Sequence, residues 1–171
     1  MSYTKKGKKE KVDVVQQAKE RKAAQKASQQ VDVRAAMEAR AVTLAVPLIL
    51  YTGTDDDKHK ANLIAFHGTQ EEFDAAFMQH NARQSQSAQM GAGLYATPKK
   101  EEARGYGTYL IECHIKTGAK LLDLSDRQIA LKLRTDGVKP DEWADANPRA
   151  VVKFGVSYYL IKTCDVDFRD G

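Results

Sequence analysis

The pattern of apolar and polar positions divides the chain near residue 41. Residues 1–11 (MSYTKKGKKEK) are almost all polar, which predicts disorder. Residues 12–41 are rich in Ala, Gln, Lys and Glu and hold neither proline nor glycine, which predicts one or two helices. Their apolar stripe is thin: Val12, Val15, Ala18 and Ala23, restarting at Val31, Ala35 and Met37. Such helices dock lightly or are ordered by a partner. No heptad of large apolar residues supports a coiled coil.

Beyond residue 41 the apolar runs are short and separated by turn residues. Residues 42–51 (VTLAVPLILY) predict a strand with Pro47 at an edge or bulge. Residues 53–60 (GTDDDKHK) read as a charged loop, and 61–66 (ANLIAF) as a short strand ending at His67. Thr69 is placed to cap a helix with Glu71 and Glu72 in its first turn and Phe73, Ala76 and Phe77 on one face. Residues 80–90 are polar and aperiodic, a mobile loop. A strand over 93–96 leads to Thr97-Pro98, which open a helix that ends at Gly105. Residues 108–115 (TYLIECHI) form a central strand, and 118–124 return through Leu121, Leu122 and Leu124. Ser125 caps a helix over 126–134. A long connection over 135–149, with a helical turn around Trp143, leads through 150–154 to a last strong strand at 156–163 (VSYYLIKT) and a short polar C-terminus. About six strands without regular βαβ alternation predict an α+β fold with a split, mostly antiparallel β-sheet. The expected division is an arm over 1–41 and a folded domain over 42–171.

Composition changes this picture little. A chain of 171 residues suits one domain, 42% hydrophobic residues fill one core, and mean hydropathy is −0.55. No apolar run reaches the length of a membrane span, and the Lys-rich start has no apolar segment of a secretory signal. The expectation is no membrane partner and a cytoplasmic site of action, in a target cell if another machine or a larger parent chain delivers the protein there. Cys113 and Cys164 have no metal-ligand spacing and read as two reduced thiols, with a disulfide left open.

Charge changes it more. Residues 1–40 carry eleven Lys/Arg and five Asp/Glu; residues 41–171 carry sixteen and eighteen. The net +4 therefore belongs to the arm, and the body is slightly acidic. A basic arm steers towards anionic partners, or it merely keeps the chain in solution.

Candidate chemistry sits between residues 62 and 116. His67-Gly68-Thr69 follows an apolar run. Gly91-Ala92-Gly93-Leu94-Tyr95 comes next, and Tyr106 lies one short helix further on. A glycine lets a ligand reach the backbone because no Cβ intervenes. Two aromatics on opposite walls grip a flat ring, and a cationic ring gains from their faces. A strand-end histidine can bond a ribose hydroxyl. Together they suit the nicotinamide half of NAD. His59, His80 and His114 carry no such role, and Asp55-Asp56-Asp57 reads as a solvated loop and not a cation site.

These pieces resemble the ADP-ribosyltransferases of the diphtheria-toxin and poly(ADP-ribose) polymerase type, the H-Y-E class. That family has an apolar strand ending in His-Gly-Ser/Thr, a Gly-x-Gly-x-Tyr strand, and a second Tyr eleven residues on. Here these are FHGT, GAGLY and Tyr106, over residues 62–124. The resemblance implies NAD+ as co-substrate and no metal. It places His67 on the ribose, Gly68 on the carboxamide, Tyr95 and Tyr106 on the ring, and Thr69 among the NAD-binding residues. A serine that bonds the carboxamide in polymerases is replaced by Ala103. The family's glutamate falls at Ser157 or, with a slip of one residue, Tyr158, and neither is acidic. Ser157 then orients the ribose itself, or a loop acid (Asp141, Glu142 or Asp145) swings in, or the acceptor is anionic and needs little activation. Members without the glutamate transfer a single ADP-ribose, and some are silent.

The arginine-modifying toxins and the RNA 2′-phosphotransferases, by contrast, use residue sets not found here in order. The expected function is a mono-ADP-ribosyltransferase of the toxin or effector kind, modifying RNA slightly before protein, with a cognate immunity or inhibitor protein as a further partner. The alternatives are a silent NAD- or ADP-ribose-binding module of the same fold, and a nucleic-acid binder acting through the arm.

Overall fold

The computed structural model describes the backbone of residues 3–78 and 90–171 and, within them, the side chains of all but residues 3–13, 27 and 30. The loop expected over 80–90 lies outside the described residues apart from Met90, as does His80.

Helix α1 runs unbroken over Tyr3–Arg40, about 57 Å at 1.5 Å per residue. Disorder over 1–11 is thus corrected from Tyr3 onward. Helix formers without a proline carry the helix through a polar stretch that has nothing to bury. Among its described side chains, those of the last turns dock. Met37 is fully buried, with Val33 and Ala36 packed beside it. Arg34 Nε donates to the Ala146 carbonyl (2.8 Å), Arg40 pairs with Asp136 (2.5 Å), and Glu38 accepts the Arg149 amide (3.1 Å).

The single strand expected over 42–51 is two. Strand β1 (Val42–Thr43) and strand β2 (Leu48–Thr54) belong to different sheets. Pro47, which has no N–H to give a ladder, lies between them. Helix α2 (Asp57–Ala65) then occupies most of what read as charged loop and strand. Asp56 caps it by accepting the Lys58 amide (3.0 Å), and Asp57 lies in its first turn. A six-residue apolar run does not tell a strand from a helix, and the cap settles it. His59 therefore lies on a helix, edge-on to Phe77 at 6.0 Å.

Helix α3 (Gln70–Phe73) has the expected cap: Thr69 Oγ1 accepts from the Glu72 amide, and Glu72 reaches back to the Thr69 amide. It loosens into a π-turn over Asp74–Met78, which buries Phe77 and leaves Ala76 exposed. Strand β3 is Leu94–Ala96. Helix α4 (Lys100–Ala103) starts two residues later than Thr97-Pro98 predicts. Thr97 Oγ1 instead accepts the Lys99 amide (3.2 Å) in a local turn. Strands β4 (Tyr109–Ile115) and β5 (Lys120–Asp123) follow. The cap of helix α5 (Arg127–Thr135) is Asp126, not Ser125, whose amide and hydroxyl both donate to Asp123. Helix α6 (Pro140–Ala146) makes two turns around Trp143.

The strong strand expected at 156–163 is shorter. Strand β6 (Val151–Lys153) turns back through Gly155–Ser157 into strand β7 (Tyr159–Ile161). The C-terminus is not merely polar. Strand β8 (Val166–Asp170) buries Val166 and Phe168 and exposes Asp167 and Arg169, alternating with period two.

The described residues make an α+β fold with two sheets. One has the order β1-β5-β6-β7-β3 and is antiparallel except for β5–β6; the other is β2-β4-β8, fully antiparallel. One core joins the inner faces of both sheets to Leu63 of α2 and Phe73 and Phe77 after it. A second lies under α1, α5 and α6, built on Met37, Leu122, Leu133 and Trp143. Cys113 is buried on β4, and both cysteines are free thiols. No helix among the described residues is long and apolar enough to cross a membrane.

Candidate active site

Strand β3 is where the two sheets meet. On one side it pairs with β7, Tyr95 opposite Leu160. On the other, Thr97 exchanges backbone hydrogen bonds with Tyr51 of β2 (2.7 and 2.9 Å). Thr52 Oγ1 adds a bond to the Tyr95 carbonyl (2.7 Å). Tyr95 is thus held at the seam of a split sheet.

Its ring is fixed as well. Tyr95 Oη donates to the Gly91 carbonyl (2.7 Å) and accepts the Met90 amide (3.3 Å). Gly91 has φ +85°, and a Cβ there would lie 2.2 Å from the Ala144 carbonyl, so only glycine allows this turn. The Tyr95 ring meets Phe154 edge-on at 5.9 Å, and Phe154 stacks on Tyr158 at 5.9 Å. Burial raises the Tyr95 phenol above its ordinary pKa; the Met90 bond opposes this and Tyr106 adds to it. Burial also raises Tyr106, helped by Tyr158 and then Glu102. Tyr95, Phe154 and Tyr158 thus form one run of ring contacts, and Tyr106 lies within electrostatic reach of it. Tyr106 and Tyr158 remain 40% and 51% exposed, so a flat ligand can reach their faces.

Helix α4 carries Tyr106 just past its end and is clamped to β2 by two glycines. A Cβ on Gly53 would lie 2.6 Å from the Ala103 carbonyl; one on Gly107 would lie 2.3 Å from the Thr54 carbonyl carbon. Two bare backbones in contact leave no slack between α4 and β2. Thr108 closes the corner, its amide (3.0 Å) and hydroxyl (3.2 Å) donating to Asp55.

The end of β2 also presents open backbone. Tyr51 turns its N–H and C=O to Thr97 and away from β4. These groups alternate sides along a strand, so Gly53 turns its own the same way. In the antiparallel register set by Tyr51 and Thr97, Gly53 stands opposite Tyr95, yet no backbone hydrogen bond joins them, and Gly53 has no backbone partner among the described residues. A donor and an acceptor side by side complement a primary amide.

Glu102 supplies the acid of the cluster. Its Oε2 accepts from Thr97 Oγ1 (3.1 Å) and Ser157 Oγ (3.2 Å), and Lys99 Nζ lies 3.7 Å from Oε1.

The other expected residues fall as follows. His67 is exposed and follows a helix, not a strand. Gly68 packs against the Phe66 ring, and the Thr69 hydroxyl is engaged as the α3 cap. Among the described residues no hydrogen bond, ion pair or ring contact joins His67 to the Tyr95 cluster. Ala103 is fully buried and offers a ligand no surface. Glu142 caps its own helix by accepting the Lys139 amide (2.9 Å). Glu142 and Asp145 line a groove with Lys26, Gln29 and Val33 of α1. Neither they nor Asp141 bond Ser157 among the described residues. Asp55 and Asp56 serve Thr108 and the α2 cap. No group of three or more His, Cys, Asp and Glu side chains among the described residues is arranged to hold a metal ion.

Sequence reasoning passes over Thr52-Gly53-Thr54, Phe154 and Glu102. One signal was available. The x-Gly-Thr triplet occurs three times, at Gly53, Gly68 and Gly107, and its first copy, like its second, follows an apolar lead-in (LILY). The chain matches no protein-family model and no curated protein.

Proposed function

We propose that the chain is an NAD-dependent mono-ADP-ribosyltransferase of the toxin or effector kind, built on an ADP-ribosyltransferase-type split sheet. The observation that carries the reading is the cluster at the sheet seam: a half-buried Tyr95 that feels the exposed Tyr106 electrostatically, beside an acid. The two rings and Tyr158 offer faces to the nicotinamide, and a positively charged ring is attracted to them. Neutral phenols at physiological pH add no charge of their own to the slot.

Two triplets compete for the ribose and the carboxamide. His67-Gly68-Thr69 has the residue type that the resemblance asks for. Thr52-Gly53-Thr54 has the strand end, the contact with Tyr95 and the open backbone pair on Gly53. Position favours the second triplet for the carboxamide, where the backbone makes the bonds. Imidazole chemistry favours His67 for the ribose. Separate His67→Ala and Thr52→Val variants assign the roles by which one lowers NAD affinity.

The acceptor is a macromolecule. The basic arm favours RNA over protein, and a cognate inhibitor suits a toxin. A silent NAD-binding module is the second reading, favoured by Ser157 standing where an acid is expected. Labelled NAD incubated with whole-cell lysate, RNA separated from protein, decides between them. Label transfer that disappears in Tyr95→Ala supports the transferase. Stabilisation by NAD without transfer supports the binding module. The absence of both excludes both.

A further inference from the structure

We infer that Glu102, delivered from α4, is the catalytic carboxylate of this site, with Ser157 and Thr97 as its positioning residues. The inference rests on the transferase reading and supplies the group that reading lacks. Just before β7 a serine stands where a carboxylate is expected. The fold returns a carboxylate to that spot from another element: Ser157 Oγ is 3.2 Å from Glu102 Oε2.

The placement is specific. Both hydroxyl bonds fall on Oε2, which leaves Oε1 with the exposed Lys99 ammonium at 3.7 Å. A surface pair of that kind holds its partner weakly. The Glu102 side chain is 43% exposed, so a hydroxyl of a bound ligand can reach Oε1. Its charge is felt at Tyr106, which puts it beside the ring slot. Helix α4 cannot drift, because Gly53 and Gly107 lock its end and the following turn to β2. A surface glutamate serving only its own helix would not need a hydroxyl from a residue 55 positions away.

In the reaction the bond between ribose C1′ and the nicotinamide nitrogen breaks, and nicotinamide leaves with the bonding pair as a neutral molecule. Positive charge develops on C1′ and the ribose ring oxygen. Glu102 accepts a hydrogen bond from the 2′-hydroxyl and stabilises that charge, which is worth most in the transition state. A lone pair on the acceptor, or on water, forms the new bond to C1′. The acceptor's proton passes to solvent, and Glu102 ends unchanged.

The test uses the full chain, with nicotinamide release from NAD as readout and NAD-induced thermal stabilisation as the measure of binding. Glu102→Gln keeps the size and the acceptor oxygen but removes the charge. It should lower kcat by about 10²-fold or more with KM within about 3-fold. Adding Ser157→Glu to Glu102→Gln should restore at least about 10-fold, since it returns a carboxylate to the same spot. Ser157→Ala alone should lower kcat by about 3- to 10-fold by freeing Glu102. If Glu102→Gln turns over within about 3-fold of the parent, the role of Glu102 is refuted and the transferase reading stands. A parent chain that NAD stabilises but that releases no nicotinamide also refutes it, and is the binding module instead. A parent that neither binds nor consumes NAD overturns both.

Discussion

Lys162 is the residue whose chemistry most exceeds its place in the sequence. It follows β7, is 3% exposed, and donates from Nζ to the Met90 carbonyl (3.0 Å) and to Asn147 Oδ1. Its pKa falls from 10.5 to about 7, chiefly through burial and then through Arg34, with Asp145 opposing them. A neutral amine still has two protons for its two acceptors, so the folded state tolerates the uncharged form. The sign of the linkage follows. Between pH 7 and 10.5 the unfolded chain holds a proton that the folded chain has lost, so stability rises with pH across that window. Below pH 7 both states are protonated and the contribution is flat. Relative to Lys162→Met, the parent should gain on the order of 2 kcal/mol between about pH 7 and about pH 9. Urea unfolding at the two pH values reads this directly, and parallel slopes for parent and variant would refute it. The Met90 that Lys162 holds also bonds Tyr95, so the lysine props the aromatic site from behind.

At the scale of elements, the meeting of α4 with β2 sets the spacing of the site. Gly107→Ala puts a Cβ 2.3–2.5 Å from the Thr54 backbone, and two backbones must part. The expected loss is roughly 2–4 kcal/mol, with weaker NAD-induced stabilisation because Tyr106 moves with α4. Gly118→Ala is the control: φ is +93° but nothing lies within 4 Å, so only about 1 kcal/mol of backbone strain is at stake. Equal losses in the two variants would mean that the contact does not set the site. The same element shows what sequence could and could not reveal. Strands β3 and β4, the Thr69 cap and the end of α4 were legible, because each carries a local signal: alternation, a capping pair, a glycine. Helix α2 was not, since ANLIAF fits either a strand or a buried helix and the deciding residue, Asp56, stood in what read as a loop. Strand β8 was missed because VDFRD holds only two core residues, too few to stand out from a polar tail. The Ser157–Glu102 pair was beyond reach: its members are 55 residues apart, and the packing of α4 beside the β6–β7 turn is what joins them.

For the whole molecule, the question is what the outer part of α1 does. From Val14 to Gln29 its described side chains are exposed, while Met37 is sealed into the second core. The helix therefore has one end packed on the body and one whose described side chains do not pack on it. An isolated helix with no buried face is marginal in water, so the outer turns contribute little to the body's stability. Deleting residues 2–25 should shift the thermal midpoint by no more than about 2 °C, whereas deleting through Met37 removes a core side chain and should cost roughly 2–5 kcal/mol. The shorter deletion removes eight Lys/Arg against three Asp/Glu and leaves a chain of net negative charge. If the acceptor is RNA, the missing cations should weaken binding most at low salt. The dependence of log K on log salt should flatten by about 0.7 for each phosphate no longer neutralised. Nicotinamide release to water should not change, because the Tyr95 site lies entirely within residues 42–171. Equal RNA binding by parent and deletion at both about 50 mM and about 200 mM salt would remove the arm from acceptor choice. Reduced hydrolysis in the deletion would mean instead that α1 acts on the site through α6, Asn147 and Lys162, a chain of contacts that links them.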